Sequence, residues 1–439
     1  MTDSRQPLPA GGPGREAAAM MEIAHTNVSP LTVRLLTAFF LVAIVAAPAV
    51  EISLATTTTD MGIGVAWSRL TAMANEIRTS PSVTNAPGLW GRIIAANHVA
   101  LNGLSAFERA LEDDSLMARA MRPRAQWAMT GLLGAGNERV YPGRDRWLFY
   151  RPDVDYLTGR GFLDPRVLER RVSDTPAWET PPQPDPYQAI VRFNDDLAAR
   201  GIVLIVMPTP PKTAIHPEKL AGGFGRDDAP ANPSLSPLLG RLAEQGLLVF
   251  NPRDVLTRSG SGPHYLAADT HWRPEAMEAV AESLARLITA RVRLDPVDDP
   301  GYRIERSEVR NVGDTARMLD LPADVDLFPA QPVWLRRVLQ ADGTVWRSVP
   351  LSDVLVLGDS FSNIYALESM AWGTSAGLVE QLSYVLRRPV DRIVQNDNGA
   401  FATRALLQQN PRRLDGKKVV VYQFAERELA FGDWKLLDP

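Results

Sequence analysis

Three uninterrupted aliphatic runs constrain this chain more than any other feature: Ile202-Val203-Leu204-Ile205-Val206-Met207, Val354-Leu355-Val356-Leu357 and Val419-Val420-Val421. A strand that is apolar at every position, rather than at alternate ones, suits a parallel sheet covered on both faces. Helical spacing lies between the runs. Tyr187 to Arg200 places Ile190, Phe193 and Leu197 on one side and stops at Gly201, as a helix C-terminus should. Leu238 to Gln245 reads as another helix and Leu247 to Phe250 as another strand. The alternation predicts a doubly wound α/β fold whose site lies at the C-terminal ends of its strands. The 439 residues suffice for two domains or for one large domain with additions, and 45% hydrophobic with 22% charged residues is ordinary for a globular protein.

The middle run ends abruptly in Gly358-Asp359-Ser360-Phe361. Ser360 thus sits where a strand gives way to the next element, and its alcohol is inert at neutral pH until a base takes its proton. The base is sought among five histidines. In Asp269-Thr270-His271-Trp272-Arg273-Pro274, the proline fits the first turn of a helix whose buried face is Met277, Val280, Ala281, Leu284 and Ile288. Asp269 and His271 then occupy an extended turn, where a carboxylate two residues away can fix the imidazole tautomer. The plainer alternative makes Asp269 a helix cap and His271 a surface residue. His264 adds a metal alternative with Asp269 and His271, but no His-x-His or His-Glu-x-x-His spacing supports it. The favoured reading needs neither metal nor cofactor.

Beyond Ser360 a helix is expected as far as Trp372. Asn396-Asp397-Asn398-Gly399 reads as a turn, with an amide offered to an oxyanion as the second reading. The backbone N–H of Ser360 is a candidate oxyanion donor. Cysteine is absent, which excludes thiol catalysis, thiolate metal sites and disulfides. A net charge of -4 leaves no nucleic-acid footprint.

The N-terminal part is organised differently. Residues 1–30 carry Gly, Pro, Ala and scattered charges without periodicity and are expected to be a disordered cytoplasmic tail. Leu35 to Val50 is free of charge, and with its flanks (31–52) it makes a transmembrane signal anchor. Arg5, Arg15 and Arg34 precede it and no basic residue follows until Arg69, which puts the bulk of the chain outside the cytoplasm. A buried soluble helix and a signal peptide cleaved after Ala47-Pro48-Ala49 are the competing readings. Residues 53–138 are expected to form a helical connector or packing element, with Trp90, Ile93, Ile94, Leu101, Leu104 and Leu111 along one apolar face that Asn97 interrupts, and His98 as a packing residue. The α/β domain is placed at 139–439.

Six stretches, in this order, resemble the SGNH-hydrolase-like proteins of bacterial alginate O-acetylation, especially their membrane-anchored periplasmic member. They are Arg144-Asp145-Arg146-Trp147-Leu148-Phe149-Tyr150, Pro208-Thr209-Pro210-Pro211-Lys212, Asp269-Thr270-His271-Trp272, Gly358-Asp359-Ser360-Phe361-Ser362, Asn396-Asp397-Asn398-Gly399-Ala400 and Phe424-Ala425-Glu426-Arg427-Glu428-Leu429. The resemblance implies a Ser360–His271–Asp269 triad and a sheet circularly permuted relative to most SGNH esterases, because the Asp-His pair precedes the serine. It implies an acetyl-serine intermediate and transfer to an exopolysaccharide, with alginate first. It also implies a periplasmic location and, as partners, a multi-pass membrane O-acyltransferase that delivers acetyl groups and either the polysaccharide or a second acetyltransferase that receives them. No separate carbohydrate-binding domain is recognised after Trp434, so members carrying one are not the expected match. A carbohydrate acetyl esterase with the same triad and a non-catalytic scaffold remain as alternatives.

Overall fold

Nine strands organise the protein in a computed structural model that describes residues 29–55, 63–114, 116–175, 180–225, 230–258 and 262–437. They are β1 (Val140–Pro142), β2 (Leu148–Tyr150), β3 (Val203–Thr209), β4 (Leu248–Val249), β5 (Arg303–Asn311), β6 (Gln331–Leu339), β7 (Val354–Gly358), β8 (Asp391–Val394) and β9 (Val419–Ala425). Five of them make a parallel sheet in the order β4-β3-β9-β7-β8. The three aliphatic runs are its central strands, and every residue of β7 and β9 is buried.

Alternation along those strands feeds two separate cores. Ile205, Met207, Val354, Val356, Val419 and Val421 pack on one side with Met277, Val280 and Leu284 from the helix Pro274–Arg291 and with Leu382 from Leu378–Leu386. Leu204, Val206, Leu355, Leu357, Val420 and Tyr422 face the other way, toward Ile190 and Leu197 of Pro186–Ala198, Leu238 of Leu235–Glu244 and Leu407 of Gly399–Gln409. Burial of apolar surface on both sides of one sheet is the main stabilising term here. The doubly wound α/β expectation holds.

Two antiparallel pairs flank the sheet. In β1–β2, Asp145 and Arg146 both adopt positive φ, at 54° and 62°, which turns the chain tightly enough to pair Pro142 with Leu148. The long hairpin β5–β6 pairs Arg303 with Leu339 through Asn311 with Gln331. It buries Val333, Leu335 and Val338. Sequence periodicity does not announce this pair, since β5 reads Arg-Ile-Glu-Arg-Ser-Glu-Val-Arg-Asn, mostly exposed and charged.

The helix expected from Ser360 to Trp372 is much shorter. It covers Ser360–Asn363, and a 3-10 turn at Glu368–Met370 ends on Ala371 at φ 60°. Trp372 is thereby turned inward to a buried carboxylate and away from a helix surface.

The chain divides into two units, Met1–Met121 and Arg122–Pro439. The first contains the helices Pro30–Ala55, Ile63–Thr79, Pro81–Thr84 and Gly88–Asp114. Trp90, Ile93, Ile94, Leu101 and Leu104, on the expected apolar face, are exposed, Trp90 by 76%, and the side chain of Leu111 lies outside the described residues. Among the described residues no helix is long and apolar enough to cross a membrane. The expected span Leu35 to Val50 falls on Pro30–Ala55, where the side chains at 43 and 47–55 lie outside the described set. The expected tail, up to residue 28, lies outside it too.

Candidate active site

The turn after β7 begins with Asp359, which anchors the loop rather than reacting. Its carboxylate accepts the N–H of Phe361 at 2.9 Å, the N–H of Ala425 at 2.6 Å and the amide of Gln423 at 2.8 Å. Gln423, at the end of β9, returns its carbonyl to the N–H of Asp359 and to the Ser362 hydroxyl. Two adjacent strands are cross-linked this way directly under the residue that follows. Gly399, at the start of its helix, packs against the same turn: a Cβ there would lie 2.6 Å from the Asp359 Cβ. The Asn396-Asp397-Asn398-Gly399 cluster is therefore both a turn, with Asn398 at φ 51°, and a close neighbour of the serine loop. Ser360 is 8% exposed.

His271 and Asp269 are joined as the sequence suggests. Asp269 Oδ1 lies 2.7 Å from His271 Nδ1 and accepts the His271 backbone N–H at 3.1 Å. The other carboxylate oxygen accepts Trp372 Nε1–H at 2.8 Å and the Asp314 N–H at 2.9 Å. An ionised carboxylate can only accept, so Nδ1 carries the proton and neutral His271 presents a lone pair on Nε2. That Nε2 is buried and has no hydrogen-bond partner among the described residues. The imidazole stands edge-on to the Phe361 ring, centroids 4.9 Å apart. Trp272 Nε1 donates to the Phe361 carbonyl and Tyr365 to the Trp272 carbonyl, which stitches the histidine segment to the residues after Ser360. No hydrogen bond joins Ser360 to His271.

Burial pushes Asp269 up, but hydrogen bonds and charge from His271, with Trp372 and the Asp314 N–H, hold it down at about 2. Burial acts on His271 in the opposite sense, lowering it, and the Asp269 hydrogen bond and charge together with Asp314 raise it above the ordinary histidine value. Both carboxylates thus favour the imidazolium, the species a general base becomes.

Three supports surround the pair, and two of them carry no chemical signature in the sequence. Lys212, buried after β3, donates to the carbonyls of Leu266, Ala267 and Asp269 at 3.0, 3.0 and 2.6 Å. Burial lowers it to about 8, and the rings of Trp147 and Phe149 lie within 6 Å of its ammonium. Leu148 N–H also donates to Ala267. Asp314 takes the Thr270 N–H at 2.7 Å and comes within 3.7 Å of His271 Nδ1. Trp372 completes the set. A lysine at the end of an apolar strand is the single visible hint of these three, because a buried ammonium must be paid with acceptors.

Metal-ligating atoms gather at Asp269, His271 and Asp314, not at His264. Nδ1 and both Asp269 oxygens are already committed to one another and to protein N–H groups, so the cluster is built as a hydrogen-bonded relay. His264 instead uses its backbone N–H on His216 Nε2 at 2.9 Å.

A three-layer α/β sheet with a strand-end Gly-Asp-Ser and a separate Asp-His loop defines the SGNH-hydrolase-like class. Residues 140–426, well over half of the chain, match the family model described as "SGNH hydrolase-like domain, acetyltransferase AlgX", and the chain belongs to that family. No curated protein sequence matches it. Among solved structures it is similar to the O-acetyltransferase domain of Pseudomonas putida AlgJ, with a TM-score of 0.50, 22% identity and coverage of 68% of this chain and 95% of that one. Pseudomonas aeruginosa AlgX follows at TM-score 0.45 and 15% identity, covering 65% of this chain and 61% of that one. Bacillus cereus PatB1 gives 0.40 and 12%, covering 69% and 100%. Family membership points to an acetyltransferase- or esterase-type enzyme connected with alginate acetylation.

Proposed function

We propose that this protein is an exopolysaccharide O-acetyltransferase, with alginate the first candidate polymer, working through Ser360, His271 and Asp269. The observation that carries the reading is the His271 ring, tied by Nδ1 to Asp269 at 2.7 Å while its buried Nε2 is left without a partner. A buried polar atom without a partner costs about 1–3 kcal/mol, and a base reserved for an incoming proton accounts for that cost.

In the first half-reaction the Ser360 hydroxyl attacks an acetyl carbonyl, its proton passing to His271 Nε2. The leaving group departs with that proton and acetyl-Ser360 remains. Next, a sugar hydroxyl gives its proton to Nε2, attacks the acetyl-serine and leaves as the acetate ester, while the proton returns to the serine. No redox partner or metal is needed for this balance. Water in place of the sugar gives the esterase alternative.

The uncharged run Leu35 to Val50 and the arginines before it support anchoring in the inner membrane with the α/β unit in the periplasm. A multi-pass membrane O-acyltransferase would then supply acetyl groups, and a polysaccharide or second acetyltransferase would receive them.

Ser360→Ala is expected to abolish acetylation of the exopolysaccharide in cells while leaving the thermal midpoint of the purified protein within a degree or two. Mass spectrometry should find an added acetyl on Ser360 after exposure to a chromogenic acetyl ester. Unchanged polymer acetylation in the alanine variant would overturn the reading. Supplying an oligouronate during ester turnover separates transferase from esterase by where the acetyl group ends.

A further inference from the structure

Pro208-Thr209-Pro210-Pro211-Lys212 has no part in the triad, yet it delivers a buried cation to the loop that carries the base. Lys212 comes three residues after the end of β3, and the two prolines before it fix the backbone φ on the approach. The Tyr265 hydroxyl donates to the Pro210 carbonyl, which ties this turn to the segment ahead of Asp269. Lys212 is 1% exposed, with the Trp147 and Phe149 ring centroids 5.6 and 5.3 Å from Nζ.

The surroundings are specific to an ammonium. The carbonyls of Leu266, Ala267 and Asp269 converge on Nζ. A charged amine has three protons and no acceptor, so donors and carbonyls match one to one. A neutral amine would leave one carbonyl without a proton. The Ala267 peptide is gripped from its other side too, its N–H donating to Gln331 Oε1 at 3.0 Å. The shortest of the three contacts, 2.6 Å, falls on the carbonyl of Asp269, the residue whose side chain holds His271 Nδ1. Charge points the same way. Burial disfavours the ammonium, and Asp314, Asp269 and Asp153 favour it. Asp153 is already paired with Arg427, so Lys212 offsets the charge of the two carboxylates beside the imidazole, Asp269 and Asp314.

We propose that Lys212 is a positioning residue of the reaction: its ammonium holds the Asp269 backbone so that the carboxylate meets His271 Nδ1 and fixes the ring. The inference rests on the acetyl-transfer reading for its effect on turnover, whereas the state of the ring is read without turnover.

Lys212→Met keeps the bulk of the side chain and removes every donor. It is expected to fold, with a thermal midpoint several degrees lower, and to lose about 100-fold in kcat toward a chromogenic acetyl ester, as an about 1 Å misplacement of a catalytic group does. KM should change by less than about twofold, because both half-reactions use the same base and slow together. In proton NMR the His271 Nδ1–H shared with Asp269 should move upfield. The chain has no cysteine, so Lys212→Cys can be alkylated at one site with 2-bromoethylamine while unfolded, which restores an ammonium of similar reach. After refolding, the alkylated chain should recover the resonance and most of the kcat of wild type carried through the same steps, and the unalkylated chain should not. Failure of Lys212→Met to fold would assign the lysine to the fold alone. Wild-type kcat or an unmoved His271 resonance in the folded variant would show that the loop needs no such anchor. Each of these results overturns the proposal. A moved resonance in Lys212→Met together with ester turnover that survives Ser360→Ala would keep the positioning role and remove the acetyl-serine reading instead.

Discussion

At the scale of single residues, the proton on His271 decides when the proposed chemistry can run. Asp269 and Asp314 raise the imidazole, so below that raised value Nε2 is protonated and cannot accept. Turnover of a small acetyl ester should therefore rise with pH along an acid limb centred above the usual histidine value near 6.5. Stability has the opposite sign: the charged pair contributes fully below the unfolded histidine pKa and is lost as pH climbs through the folded one. Asp269→Asn removes the largest raising influence, so the limb should move to lower pH. Its plateau should fall by about three to four orders of magnitude, as when a triad loses its tautomer-fixing carboxylate. A pH–rate profile with the His271 ring followed by NMR checks both; an unmoved limb would mean another group titrates.

Among the secondary-structure elements, the hairpin β5–β6 matters beyond its own packing. Its connecting segment brings in Gly313 at φ 98°, where a Cβ would sit 2.1 Å from the Ala268 carbonyl oxygen. Only glycine lets the next N–H, that of Asp314, reach Asp269. Gly313→Ala should cost about 2–4 kcal/mol in denaturant unfolding and lower ester turnover more than tenfold, since the displaced loop removes one of the carboxylate's donors. Loss of stability with undiminished turnover would show that this donor is dispensable. The same hairpin marks the limit of what the sequence discloses. The sheet was legible because its strands are apolar at every position, and Asp269, His271 and Ser360 because reactive residue types stand at element boundaries. Asp314, Trp372 and Gln423 were not legible: each acts through a contact more than 40 residues away in sequence. In Gly88–Asp114 the helical spacing of apolar residues was legible, but such spacing records amphipathicity and not what covers it.

For the molecule as a whole, all the proposed catalytic groups belong to the unit Arg122–Pro439. A chain beginning at Leu116, where the helix Leu116–Leu133 starts, should unfold in one transition and turn over acetyl ester at the rate of the full-length protein. In cells it should no longer pellet with membranes if the segment before it is the anchor. Membrane association of the shortened chain would point to the α/β unit itself.

The strand order has a temporal consequence. β9, the last of the described strands in chain order, lies in the middle of the sheet, with β3 on one side and β7 on the other. A polypeptide emerging N-terminus first, from a ribosome or through a translocation pore, has β3 with β4 and β7 with β8 but nothing to bridge them. Until Val419–Ala425 arrives, the two halves cannot zip together and Asp359 lacks the Gln423 and Ala425 partners that hold the serine loop. The loop that carries Ser360 is therefore completed only after Val419–Ala425 has joined β3 and β7, which makes its order a late event in assembly of the sheet.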